Sequence, residues 1–178
     1  MVAIPSSSRG FMLDSAQAVA ERKSGSRRLM ATRDQVAAPG TVPLRQAAEA
    51  GHVSAMYQLG IESTDRKERI HWLREAAFEG YVPAMYAFGL TCEHPGFRRS
   101  WLRAAAEEGH VEAMYALTAE TEDFEERKRW LKMAAEEGHV AAMYYWGLVC
   151  DDPHEGKRWL TEAARNGCEA AVAELCDD

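Results

Sequence analysis

The sequence predicts an all-α protein, a right-handed α-solenoid of stacked helix-turn-helix repeats. Three observations predict it. The motif LKMAAEEGHVAAMY from Leu131 recurs as LRQAAEAGHVSAMY from Leu44, LREAAFEGYVPAMY from Leu73 and LRAAAEEGHVEAMY from Leu102, with a weaker copy, LTEAARNGCEAAVA, from Leu160. Successive copies begin 29 residues apart, with no insertion. Each interval also holds two helical patterns separated by stop signals, so the repeating unit is a helix pair.

Taken in order, residues 1–40 do not match the repeat and are read as an irregular N-terminal segment. Phe11 to Ala20 would form one short helix there, and Ser24–Arg28 and Ala37–Val42 read as loop. The repeat solenoid spans residues 41–178. It opens on a half-helix, with Thr41 as cap and Pro43 in the first turn. The first helix of a repeat is predicted from residues 53–54 to 61–62, with Gly60, Gly89, Thr118 and Gly147 as small residues where a partner helix approaches. A turn of two or three residues follows. The second helix carries Trp72, Leu73, Ala76 and Ala77 on one stripe, repeated at Trp101, Trp130 and Trp159.

Its start is marked by Asp65xxGlu68, Asp123xxGlu126 and Asp152xxGlu155, which have the form of capping boxes, with His94 in that place in the second repeat. Pro95 and Pro153 occupy the next position, where a missing N–H costs nothing. Gly51, Gly80, Gly109, Gly138 and Gly167 end it, each just past an Ala-Ala-x-x run, as left-handed terminators. The fifth copy replaces Met-Tyr with Val172-Ala173 and reads as a C-terminal capping helix. One helix pair cannot bury its apolar face alone, and stacked neighbours can. A buried Trp and Leu in each unit would supply several kcal/mol, at roughly 25 cal/mol per Å².

Composition narrows the function classes. A hydrophobic fraction of 47% excludes a disordered chain. A charged fraction of 28%, without an apolar run near the roughly 18 residues a membrane helix needs, excludes a membrane protein. The N-terminus lacks the pattern of a secretory signal, so a cytoplasmic location is expected. The net charge is −7; residues 1–40 carry +3 of it, which leaves −10 to the remainder. An acidic body argues against broad nucleic-acid binding. The four cysteines show no metal spacing. Cys92 and Cys150 lie two repeats apart, too far for a disulfide, and all four are read as reduced, buried and small. No cofactor and no metal are expected.

With the motif laid out as AAExGHVxAMYxLG followed by Trp-Leu-x-x-Ala-Ala, the chain resembles the Sel1-like repeats, relatives of the tetratricopeptide repeats. The resemblance covers residues 44–178. Typical members carry a longer Gly-containing loop between the two helices; here it is cut to residues such as Ser63-Thr64-Asp65. The resemblance implies a non-catalytic scaffold or adaptor that holds a partner protein or peptide, often in bacterial signalling. Some cysteine-rich relatives are linked to β-lactam chemistry, with disulfides between positions that here hold Ala48 and Met56, or Ala135 and Met143. That enzyme-like reading loses its support.

By analogy with tetratricopeptide arrays, the first helices line the concave face, with residues 54, 57 and 61 and their equivalents pointing into the groove. The first candidate is the tyrosine row Tyr57, Tyr86, Tyr115 and Tyr144, extended by Tyr145, read either as packing or as groove. The second is the variable set Ser54, Pro83, Glu112 and Ala141, with Gln58, Ala87, Ala116 and Tyr145, where partner specificity would be written. His52, His110 and His139 share a register with Tyr81 and Cys168 and are read as turn residues. The runs Arg98-Arg99, Arg127-Lys128-Arg129 and Lys157-Arg158 are read as a solvated face with local ion pairs. The reading is therefore a non-enzymatic interaction module that binds a protein or peptide along its concave face. The alternative is a regulatory protein that uses the basic residues 22–33 to contact nucleic acid or an acidic partner.

Overall fold

The helix boundaries repeat with the period of the sequence. A computed structural model describes residues 43–176, so the short helix expected at Phe11 to Ala20, the Thr41 cap and the basic residues 22–33 lie outside the described residues. Among the described residues there are ten helices and no strand: α1 Leu44–Glu49, α2 Val53–Glu62, α3 Arg66–Phe78, α4 Val82–Thr91, α5 Pro95–Glu107, α6 Val111–Glu120, α7 Phe124–Glu136, α8 Val140–Val149, α9 Pro153–Arg165 and α10 Glu169–Cys176. The first helices α2, α4, α6 and α8 each have 10 residues, and the second helices α3, α5, α7 and α9 each have 13. The described residues divide into two compact units between Cys92 and Glu93.

In the first unit α1 packs on α2, α2 on α3 and α3 on α4. In the second, each helix from α5 to α10 packs on the next. The turn from a second helix to the following first helix has one geometry throughout. The five repeat glycines have φ between 86° and 95°, and every other described residue with a side chain stays at negative φ. In each turn the glycine N–H and the next N–H donate to the paired alanine carbonyls. At Gly138 these bonds are Gly138 to Ala135 (3.1 Å) and His139 to Ala134 (2.9 Å). The same pair of bonds occurs at Gly51, Gly80, Gly109 and Gly167. This double closure satisfies carbonyls that a helix end leaves open. An added Cβ at Gly51, Gly109, Gly138 or Gly167 would meet nothing within 4 Å, so backbone conformation rather than space demands glycine there.

The Ala-Ala pair serves twice, since Ala76, Ala77, Ala105, Ala106, Ala134 and Ala135 are also core residues at or near zero exposure. Leu73, Leu102, Leu131 and Leu160 are buried beside them. Trp101 and Trp130 are buried as expected, whereas Trp72 and Trp159 are half-buried. Space governs the other glycines. A Cβ on Gly60 would lie 2.8 Å from Leu73 Cγ, and one on Gly147 would lie 2.9 Å from Leu160 Cγ. These contacts hold first and second helices at close approach, as their spacing suggests.

The second helices start on side-chain caps. Asp65 accepts from Lys67 N–H, Asp123 from Glu126 N–H and Asp152 from His154 N–H, while His94 Nδ1 accepts from Gly96 N–H. The acidic partners of the boxes reach sideways. Glu68 pairs with Arg45 and Glu126 with Arg103, each 23 residues back on the previous second helix. Glu126 and Glu155 also accept from the indole N–H groups of Trp130 and Trp159. Pro43 sits at the N-cap of α1, one place earlier than the first-turn position expected of it, because the helix starts at Leu44.

The four cysteines are free, but they are not buried as the sequence suggested. Cys92 and Cys150 stand at the C-caps of α4 and α8, where the chain leaves the helix, and are half-buried. Cys168 is also half-buried, and Cys176 is exposed near the end of α10. Ser63 and Thr121 hold the same register as Cys92 and Cys150, and both are buried. Arg69 grips the Ser63 carbonyl through Nε and Nη2 (3.2 and 2.8 Å), and Arg127 grips that of Thr121 in the same way (3.3 and 2.8 Å). A planar two-point grip of this kind is specific to arginine.

Four substitutions test this packing by denaturant unfolding. Gly60→Ala should cost about 1–3 kcal/mol, the range for overpacking against a fixed neighbour. Gly138→Ala should cost about 1–2 kcal/mol through backbone strain alone. Arg127→Lys should recover little of the stability lost in Arg127→Ala, about 1.5–3 kcal/mol for a charge-assisted bond. Thr121 Oγ1 is buried without a hydrogen-bond partner, so Thr121→Val should leave stability unchanged or raise it.

Candidate functional site

The residue after each turn glycine does two jobs. It closes the preceding helix through its N–H and stands at the N-cap of the following one. His52, Tyr81, His110 and His139 are the N-cap residues of α2, α4, α6 and α8. In the second unit the imidazoles cap directly. His110 Nδ1 accepts from Ala113 N–H at 3.3 Å, and His139 Nδ1 accepts from Ala142 N–H at 3.1 Å. The sequence reading recognised a turn register but missed this role. The available signal was position, one residue ahead of the apolar first helix, where caps sit.

These N-cap residues are also where the tyrosine row rests. In the first unit the rings of Tyr57 and Tyr81 lie 5.3 Å apart and tilted. In the second, Tyr115 stacks on His139 at 4.2 Å and on Tyr145 at 6.4 Å. Tyr144 meets Tyr145 edge-on at 5.1 Å. A tyrosine of one repeat thus leans on the residue 24 positions later, at the head of the next first helix. The row is also half-open: Tyr57, Tyr86, Tyr115 and Tyr144 are half-buried, and Tyr145 is 48% exposed. Burial and the nearby Tyr145 hydroxyl raise the Tyr115 pKa, so its hydroxyl stays neutral and able to donate near pH 7.

The variable set lies beside this row. Ser54 and Glu112 are exposed, as is Gln58, whereas Pro83 and Ala141 are half-buried. Glu112 Oε2 lies 3.1 Å from His110 Nδ1, an ion pair only when that ring is protonated. The second unit therefore gathers Glu112 and Tyr115 of α6 with His139, Tyr144 and Tyr145 around α8. Ser54 and Tyr57 on α2, and Pro83 and Tyr86 on α4, belong to the first unit.

The register of residue 61, expected to point into the groove, is open to solvent in three repeats. Ile61, Leu90 and Leu148 are 51%, 50% and 43% exposed, at equivalent positions in α2, α4 and α8. They stand one helical turn beyond Gln58, Ala87 and Tyr145. In the second unit Tyr145 and Leu148 give α8 an exposed aromatic and aliphatic edge, and in the first unit Ile61 and Leu90 stand open on α2 and α4.

The second helices carry the charge instead. Arg98 pairs with Glu120 at 3.1 Å, and Arg127 grips the Thr121 carbonyl. Lys128 meets Asp151 at 2.9 Å, a hydrogen bond that raises its pKa, and its ammonium lies 5.7 Å over the Phe124 ring. Much of the basic run is thus spent on local partners, in keeping with a solvated face. Among the described residues, no three His, Cys, Asp or Glu side chains are grouped to hold a metal ion. None of the described helices is long and apolar enough to cross a membrane.

No family model matches the chain, and no curated protein matches it either. Solved structures do. A Sel1 repeat protein from Oxalobacter formigenes superimposes with a TM-score of 0.68 at 24% identity, over 74% of this chain and 65% of that one. A protective antigen of uropathogenic Escherichia coli strains, which displays an SLR fold, gives a TM-score of 0.70 at 26% identity, over 74% of this chain and 34% of the antigen. The chain thus spans less than two thirds of either protein. The α-solenoid class expected from the repeat is the class of both. In repeat motif and in fold the chain is similar to Sel1 repeat proteins.

Proposed function

We propose that the chain is a non-catalytic interaction module that holds a segment of a partner protein on the exposed face of its first helices. Folds of the Sel1 type are in general protein–protein interaction scaffolds, which favours a protein partner. The observation that carries the finer reading is the exposed face around Tyr115, Tyr144, Tyr145 and Leu148. These side chains are anchored from behind, yet open in front. Tyrosines held this way lose little entropy on binding, the property that makes tyrosine a frequent hot spot.

The exposed Tyr145 and Leu148 favour a partner segment recognised by apolar and aromatic side chains. Ser54, Pro83, Glu112 and Ala141 vary beside a strict tyrosine register, so they would select among such segments. Exposed pairs on the second helices would contribute little to affinity, since surface ion pairs are worth about 0–1 kcal/mol.

The test uses three versions of the chain as bait in lysate of its native host: the unaltered protein, Tyr115→Ala/Tyr145→Ala and Arg129→Glu. The double variant should lose a partner that the other two retain, with an affinity loss of about 2 kcal/mol or more. Its helical circular dichroism should match that of the unaltered protein. Equal capture by all three, or loss only with Arg129→Glu, would refute the assignment.

A further inference from the structure

Three helices of the second unit begin on an imidazole. His94, His110 and His139 cap α5, α6 and α8, each accepting a backbone N–H at Nδ1. Such a cap exists only in the neutral ring with its proton on Nε2, because a protonated imidazole has two donors and no acceptor. A cation at a helix N-terminus also opposes the helix dipole. The helices α7 and α9 begin instead on the carboxylates of Asp123 and Asp152; imidazole is the side chain whose charge ordinarily changes between about pH 5 and pH 8.

His139 differs from the others in what rests on it, since its ring also carries Tyr115. We propose that His139 is an acid-sensitive latch on the tyrosine face: the neutral ring fastens the head of α8 and props Tyr115 against Tyr145, and protonation releases the fastening. The proposal concerns regulation of the face described above and rests on reading that face as the docking surface. Stacking on Tyr115 alone would tolerate a charged ring. The cap would not, because a protonated Nδ1–H and the Ala142 N–H would meet donor to donor, and the ring would have to turn.

The titratable groups around His139 are Glu112 and Tyr115 of α6, Glu136 and Glu137 at the end of α7, and Tyr144 and Tyr145 on its own helix. Burial holds its pKa below the ordinary histidine value, and the Glu112 carboxylate offsets only part of that. A group whose folded pKa is depressed stabilises the fold fully above its unfolded pKa, about 6.5 for histidine. That contribution is lost as pH falls through the folded pKa. His110 has a different recourse, because Glu112 lies 3.1 Å from its Nδ1 and can accept from the protonated ring.

The experiment compares the unaltered chain with His139→Asn, without partner, from about pH 7 to about pH 5, the range in which imidazole titrates. Asparagine caps a helix without titrating. The His139 ring should titrate below free histidine by NMR. In the unaltered protein the hydrogen-exchange protection of the Ala142 amide should fall about fivefold on acidification, the equivalent of one N-cap. His139→Asn should abolish that fall. An equal fall in both proteins, or Ala142 protection that ignores pH in the unaltered one, would overturn the latch. Neither measurement involves a partner, so failure of the docking assignment leaves them intact and distinguishable.

Discussion

The architecture depends on one closure, the pair of hydrogen bonds that the turn glycine and its successor donate to the Ala-Ala carbonyls. A helix end exposes carbonyls with no partner, and this turn satisfies them while reversing the chain. The reversal needs a left-handed residue, and only glycine adopts that conformation without strain. The donors' targets are alanines for a second reason, since the same residues pack in the core at essentially zero exposure. Capping, chain direction and core packing thus meet within six residues, and the spacing of 29 follows from repeating that junction without insertion.

The chemistry of the site grows from the same junction. The residue after the glycine already has its N–H committed to the previous helix, which fixes its backbone. Its side chain is then held at the head of the next first helix: His110 and His139 cap α6 and α8, and His139 also supports Tyr115 of the repeat before. Tyr115 rests on His139, and His139 is placed by the turn at Gly138. Order passes from the turn to an exposed aromatic surface without any residue that breaks the repeat.

Much of the fold was legible in the sequence. The periodic Leu, Ala-Ala and Gly positions report backbone and core requirements that recur in every copy, and the first helix expected from residues 53–54 to 61–62 runs from Val53 to Glu62. The misses have local causes. Cys92 and Cys150 are apolar enough to suggest burial, yet both are half-buried at helix C-caps whose register also holds the buried Ser63 and Thr121. Glu68, Glu126 and Glu155 have the spacing of capping boxes, yet arginine or tryptophan side chains claim their carboxylates. The stack of Tyr115 between His139 and Tyr145 joins residues 24 to 30 positions apart, contacts that depend on how successive pairs are rotated. Spacing alone does not reveal that rotation. The register of residue 61 is legible as open from its place on the first helix, and Ile61, Leu90 and Leu148 are exposed there.

The most direct test of the account is where a partner touches the chain. A photo-reactive phenylalanine analogue placed at Tyr145 or Leu148 on the first-helix face, and separately at Arg129 or Lys132 on the second-helix face, would be activated in cells of the native host. The account predicts one discrete cross-linked product from positions 145 and 148 and none from 129 and 132. A product confined to positions 129 and 132 would contradict it.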